Sequence, residues 1–302
     1  MLDERGDLAA RMLSALVSDS YDVIVEPPGQ GDGYWAGGPS AAISDGTIWL
    51  AYRLRRPVDQ GRGYANVVAR SSDGVHFDTV TTVTSEQFGS ASLERPAVVP
   101  LADGGLRLYV SCSTHASKHW WVEALDLPSG ERRPVLPGDE ATAWKDVVVR
   151  RDDDTWRMWA CRHPLDGGDD EADRMTSWYA TSEDGLAWDM TAAALSPQPG
   201  TWDARGTRIA SILRNGDGWW AFYDGRASAA ENWHERTGVA HGTAPDAFAA
   251  TGGPTPAGVT VRYLSVVGLP DGYRLYWEAS RTDGAHELRS AYVPRSVSAS
   301  QS

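Results

Sequence analysis

The chain has 302 residues, 41% of them hydrophobic and 23% charged, with 14 Trp, 31 Gly and a formal net charge of −13. That is an ordinary globular composition with an excess of tryptophan, and the negative balance argues against a nucleic-acid binder or a protein of anionic membranes, which carry basic surfaces. No window is apolar enough to span a bilayer, and the acidic N-terminus lacks the apolar run of a secretory signal.

The first stretch, "LDERGDLAARMLSALVSD", places Leu8, Met12, Leu13, Leu16 and Val17 on one helical face, which predicts a short helix within residues 1–20. "YDVIVE" (21–26) reads as a strand, and an N-terminal strand in a circular β fold completes the last repeat and closes the ring. Nothing after residue 20 sustains a helical period. Instead a unit recurs five times at a spacing of roughly 50 to 60 residues, the scale of propellers, solenoids and arrays. Each unit has an apolar strand ("PSAAI", "RPAVV", "KDVVV", "TRIASIL", "YLSVV"), an Asp/Gly-rich turn and a second apolar strand. The second strands end in polar groups: "IWLAYRLR" (48–55), "LYVSCSTH" (108–115), "RMWACRHP" (157–164), "WAFYDGRA" (220–227) and "LYWEASRT" (275–282). The expectation is one all-β domain, a five-bladed β-propeller over about 21–294, followed by a disordered tail at 295–302. Cys112 and Cys161 fall at equivalent places in neighbouring repeats, too far apart for a disulfide, and read as buried free thiols of a cytoplasmic protein.

In a propeller the innermost strands line one central funnel. From these strands come Glu94, Arg95, Lys145, Asp146, Arg205, Arg208, Arg262 and Tyr263. The ends of the second strands add Arg53, His115, Arg162, His163, Asp224, Arg226, Glu278 and Arg281. Arg and Lys hold nine of these positions and Asp and Glu four, so an acidic protein keeps a basic funnel. Buried charges need partners or a purpose. Interblade ion pairs would use some of the arginines, and an anion clamp would use the rest, because guanidinium forks bind carboxylate or phosphate with two bonds.

Three features give the chain a family likeness. "SSDGVHF" (71–77) and "TSEDGLAW" (181–188) are paired Ser-x-Asp-Gly hairpins of outer strands, "WAGGPSA" (35–41) opens the first repeat, and "ERPAVV" (94–99) opens the second. In these the chain resembles the five-bladed propeller glycoside hydrolases, the broad group of furanosidases, fructosidases and arabinanases. The resemblance implies a carboxylate site at the funnel. It departs at the positions that matter most: the acid before the first-blade Pro is Gly38, the acid before the second-blade Pro is Arg95 with Glu94 one step earlier, and a third acid is kept loosely as Asp146.

Glycosidic cleavage needs one group to protonate the leaving oxygen and a carboxylate to attack or activate water. The candidates are Glu94, Asp146, Asp224 and Glu278, with Glu94 and Asp146 favoured because adjacent inner strands bring them to one rim. Trp35, Arg95, Arg162, His163, Arg208, Arg226, Tyr263, Glu278 and Arg281 are the expected binders of a small, anionic, carbohydrate-like ligand. The loop 227–242, carrying Trp233, His234, Glu235 and Arg236, is long enough to cover the funnel. Trp202, like Trp35, starts a repeat and is a candidate stacking platform. The acidic run 165–174 lacks the spacing of a calcium loop, and the histidines fit no zinc motif, so no metal and no cofactor is expected. A propeller that binds such a ligand without hydrolysing it, or that catalyses an elimination or rearrangement, remains the alternative.

Overall fold

The computed structural model describes residues 4–152, 154–167, 174–216 and 218–295. Helix α1 (Glu4–Leu16) leads into β1 (Asp22–Val25). Then come four-stranded antiparallel meanders: β2 (Trp35–Ser44), β3 (Thr47–Arg55), β4 (Gly63–Ser71) and β5 (Asp78–Thr84), followed by a one-turn helix α2 (Ser85–Phe88). The next is β6 (Ser92–Pro100), β7 (Leu106–Ser113), β8 (Trp120–Leu127) and β9 (Arg132–Leu136). After it comes β10 (Thr142–Asp152), β11 (Thr155–Pro164), β12 (Thr176–Ser182) and β13 (Asp189–Leu195). Another holds β14 (Gly206–Asn215), β15 (Gly218–Arg226), β16 (Arg236–Ala244) and β17 (Ala247–Gly252). Last are β18 (Val261–Gly268), β19 (Gly272–Ser280) and β20 (His286–Pro294), and β1 adds to β20 as the outermost strand. One parallel bridge, Trp35 to His286, joins this sheet to the first.

The first strands form a closed series: β2 packs on β6, β6 on β10, β10 on β14, β14 on β18, and β18 returns to β2. The core lies between successive sheets, where alternate residues of each strand turn inward. Helix α1 covers one such seam with Leu8, Met12 and Leu16, which join Phe222, Val239 and Trp277. Val17 of the expected apolar face lies past the helix and is exposed. No helix among the described residues is long and apolar enough to cross a membrane. Cys112 and Cys161 are buried and free.

The two Ser-x-Asp-Gly hairpins are turn devices. The Ser71 hydroxyl accepts the Gly74 N–H at 2.8 Å, and Asp73 accepts the N–H groups of Val75 and His76, each at 2.8 Å. Ser182 and Asp184 repeat the pattern with Gly185, Leu186 and Ala187. Each turn is also a latch, because its glycine carbonyl takes a tyrosine hydroxyl from an adjacent sheet: Tyr276 to Gly74 at 3.0 Å and Tyr109 to Gly185 at 2.7 Å.

Most of the expected tail, 296–302, and residues 168–173 of the acidic run lie outside the described residues. Arg295 is bonded into the last sheet: its N–H donates to Asp271 O at 2.9 Å and its guanidinium to the Tyr273 hydroxyl at 3.0 Å.

Candidate functional site

Each first strand is interrupted by a β-bulge at the same height. The pairing skips Gly38–Pro39 in β2, Glu94–Arg95 in β6, Asp146–Val147 in β10, Ala210 in β14 and Tyr263–Leu264 in β18. A bulge re-aims side chains that a regular strand would send to alternate faces. Here Gly38, Asp146 and Tyr263 take left-handed backbone angles, with φ of 59°, 52° and 56°. This is why runs of consecutive charged residues can all serve the ring interior.

Above the bulges is a cavity of about 250 Å³ whose lining includes eight cations, Arg53, Arg55, Arg62, Lys118, Lys145, Arg208, Arg226 and Arg262, and two carboxylates, Glu94 and Glu235. His163, Trp120, Tyr263 and, from the loop before β16, Asn232 and Trp233 complete much of the wall. The loop therefore does reach over the funnel, as its length suggested.

Three more carboxylates stand behind the wall. Asp224 is fully buried and takes Arg208 at 2.9 Å, the Tyr263 N–H at 3.0 Å and the Thr237 hydroxyl at 3.2 Å. Burial pushes its pKa up, and Arg208 and the Tyr263 N–H only partly offset this. Asp146 is fully buried and accepts the Arg95 N–H at 3.2 Å, Arg208 at 3.3 Å and the Tyr263 hydroxyl at 3.4 Å. Glu278 is held by His286 at 2.8 Å, Arg53 at 3.4 Å and Arg262 at 3.7 Å. In front, Glu94 pairs with Arg53 at 2.5 Å, and Glu235 sits between Arg226 and Arg262, each at 3.3 Å, and Arg208 at 3.7 Å.

Burial alone would raise Glu94, but Arg53, Arg62, Lys145 and Arg55 hold it well below the carboxylate range. Glu235 is treated alike: burial would raise it, and Arg262, Arg208 and Arg226 keep it at about 2. Both carboxylates that line the cavity are thus ionised. Burial pushes the Lys145 amine down, an effect that Asp146 and Glu94 only partly offset, and burial raises the Tyr263 hydroxyl to about 12.

The cations divide into two sets. Arg53, Arg208, Arg226 and Arg262 have carboxylate partners. Arg55, Arg62, Lys118 and Lys145 line the same cavity, and among the described residues no carboxylate comes within 4 Å of them. Arg55 is 4% exposed and lies on the Trp35 ring, its Cζ 4.0 Å from the centroid. Lys145 Nζ lies 4.3 Å from the Trp120 ring centre.

Several expected binders are placed elsewhere. Arg95 spans the channel at the level of the bulges, donating to Pro39 O at 2.9 Å and Ala210 O at 2.7 Å, and it lines the opposite mouth of the ring. Trp35 is buried between Arg55 and His286, its ring 4.2 Å from the imidazole, so it supports the wall and offers no open face. Arg162 turns to the Thr142 hydroxyl and the Trp178 ring, and Arg281 pairs with Glu26, Asp283 and Glu287; neither lines the cavity. Trp202 stacks on Tyr223 in a core between sheets. Asp146, Asp224 and Glu278 lie behind the lining. Glu94, His163, Arg208, Arg226 and Tyr263 do line it. The sequence reading passed over Arg55, Arg62, Lys118 and Trp120. Arg55 carried a usable signal, since it lies two residues beyond Arg53 in a strand and so shares its face. Among the described residues no group of His, Cys, Asp and Glu is arranged to hold a metal ion.

The fold has clear relatives among solved structures. A thermostable family-43 glycoside hydrolase superposes with a TM-score of 0.66 at 12% identity over 92% of this chain and 98% of its own. RS223 β-xylosidase gives 0.66 at 12% identity, covering 91% and 95% of the two chains. The β-1,2-mannobiose phosphorylase of Listeria innocua gives 0.62 at 15% identity, covering 92% of each. No protein-family profile matches the chain. No curated protein matches it in sequence. The protein thus has the fold of the propeller-type glycosidases, and the resemblance read from its motifs holds at the level of architecture.

Proposed function

We propose that the chain is a five-bladed propeller enzyme of glycosidase type that processes a small anionic sugar, or a metabolite containing one, in the funnel. The blade count is read from the closed series of first strands, taking the bridged eight-stranded sheet as two blades. The observation that carries the function is the group Arg55, Arg62, Lys118 and Lys145, cations that line the cavity without a carboxylate partner among the described residues. Cations gathered this way are costly unless an anion completes them. At about 250 Å³ the cavity is below the range of roughly 300–1,000 Å³ typical for drug-sized ligands, which suits a single sugar unit.

In this reading Glu94 is the working carboxylate. It is ionised and faces the cavity, so it attacks the anomeric carbon, activates water, or stabilises the positive charge that develops there. Asp146, first paired with it, is enclosed by Arg208, Arg95 and Tyr263 and acts through them. Proton delivery falls to Lys145, a lining group with an exchangeable proton whose pKa is pushed toward the working range.

A second reading has its own observation. Both lining carboxylates are held ionised, so the cavity contains no carboxylic acid. Attack by an anion in place of water would suit the surplus cations, and the fold also houses a mannobiose phosphorylase. The buried free thiols favour a reducing compartment, and we read the protein as cytoplasmic.

The test is a panel of aryl glycosides, neutral and uronic, incubated with and without inorganic phosphate and followed by aglycone release. Release from acidic members, lost in Glu94→Gln, supports hydrolysis. Release only with phosphate selects the second reading. Release from neutral members alone overturns the anionic substrate.

A further inference from the structure

We infer that the anion seated in the funnel is a phosphate monoester borne on the sugar, with Arg55, Arg62 and Lys145 as its seat. This rests on the reading of the funnel as a sugar site and narrows it to one substrate class.

Charge comes first. Eight cations line the cavity, and the carboxylates that line it or stand behind it are five: Glu94, Asp146, Asp224, Glu235 and Glu278. A single carboxylate on the ligand would leave most of the surplus unanswered, whereas a phosphate ester brings about two negative charges at neutral pH.

Geometry comes second. The Arg55 guanidinium lies against Trp35, which leaves the edges of its fork for ligand oxygens. The Nε of Arg55 and the Nε of Arg62 are both buried and have no hydrogen-bond partner, although both residues line the cavity. The terminal nitrogens of the two forks are the ones left to meet a ligand oxygen. Lys145 adds a compact ammonium on the Trp120 side of the same cavity. The sugar ring then lies toward Trp233, whose exposed indole supplies flat apolar surface in the same cavity.

The test is calorimetric titration of the full chain at pH 8 and fixed ionic strength, in glucose and mannose series. Each series contains the hexose, its 1- and 6-phosphates, the matching sulfate esters, the uronate and, as a separate arm, inorganic phosphate. Sulfate esters copy the shape with one charge. The proposal expects a phosphate ester to bind at least about tenfold tighter than its sulfate ester, uronate and inorganic phosphate, and expects Arg62→Gln and Lys145→Gln each to remove about tenfold of that affinity.

A uronate that binds as well as the best phosphate ester overturns this inference and leaves the anionic-sugar reading standing. A neutral hexose that binds as well as its ester overturns both. Inorganic phosphate that binds as tightly as the ester overturns the ester and favours attack by free phosphate. Absence of any preference of ester over sulfate in both series, silence included, overturns the inference.

Discussion

Arg55 lies on the indole of Trp35, Cζ 4.0 Å from the ring centre, with no carboxylate within 4 Å among the described residues. Burial, and then the charges of Arg53 and Arg62, push its pKa down to about 9. The site therefore keeps a cation that the fold itself disfavours. Arg55→Gln should leave the unfolding free energy unchanged or raise it by about 1 kcal/mol, while abolishing binding of acidic sugars. Urea denaturation and ligand titration of the same variant check both halves.

Glu235 is the shared counter-charge of Arg208, Arg226 and Arg262. Glu235→Gln should cost about 3–5 kcal/mol, the usual result of leaving buried charges uncompensated. Added inorganic anion should recover part of the loss. Denaturation curves with and without sulfate decide it.

The sign of the acid response follows from the same pairs. Glu235 is held at about 2 against an ordinary 4.5, and Glu94 and Glu278 are also depressed. Groups of this kind stabilise the fold above their unfolded pKa and lose that contribution as pH falls through the folded one. The contribution of these three carboxylates should be flat above about pH 5 and fall steeply from about 4.5 toward 2. Glu235→Gln should flatten part of that slope, which thermal melts across pH 2–7 will show.

The first-blade glycines make contrasting predictions. A methyl at Gly37 would run into the Glu278 carboxylate, so Gly37→Ala should lose about 1–3 kcal/mol or more. Gly38 has room, since an added Cβ would meet Arg95 at 3.4 Å, and its φ of 59° matches the 52° of Asp146 in the equivalent bulge. Gly38→Asp should fold with a cost of about 1–2 kcal/mol and weaken binding of acidic sugars by adding a carboxylate to the ring. Melting and titration of the two variants test the contrast.

The Tyr109 hydroxyl donates to the Gly185 carbonyl from a neighbouring sheet at 2.7 Å. Tyr109→Phe should cost about 1–3 kcal/mol through the acceptor left unsatisfied, without changing ligand affinity.

The strands were legible because their apolar runs and Asp-Gly turns are local signals, and β3, β7, β11, β15 and β19 fall on the segments read from sequence. The closing strand β1 followed from the same pattern. The site was legible only in part. That Arg53 and Glu278, 225 residues apart, share a pair depends on ring closure, which no local pattern encodes. The bulges decided which charge faces the cavity. They put Glu94 on the funnel side and Arg95 across the channel, although the two are adjacent. Glu235 read as a lid residue because its three arginine partners come from other strands.

The most direct measurement is a thermal-shift comparison of matched acidic and neutral sugars on the native chain and on Arg55→Gln. The account predicts that acidic members stabilise the native chain, by about 2.7 kcal/mol at a hundredfold excess over the dissociation constant, and leave Arg55→Gln unmoved. Stabilisation by neutral sugars alone, or equal stabilisation of both proteins by the acidic ones, would contradict it.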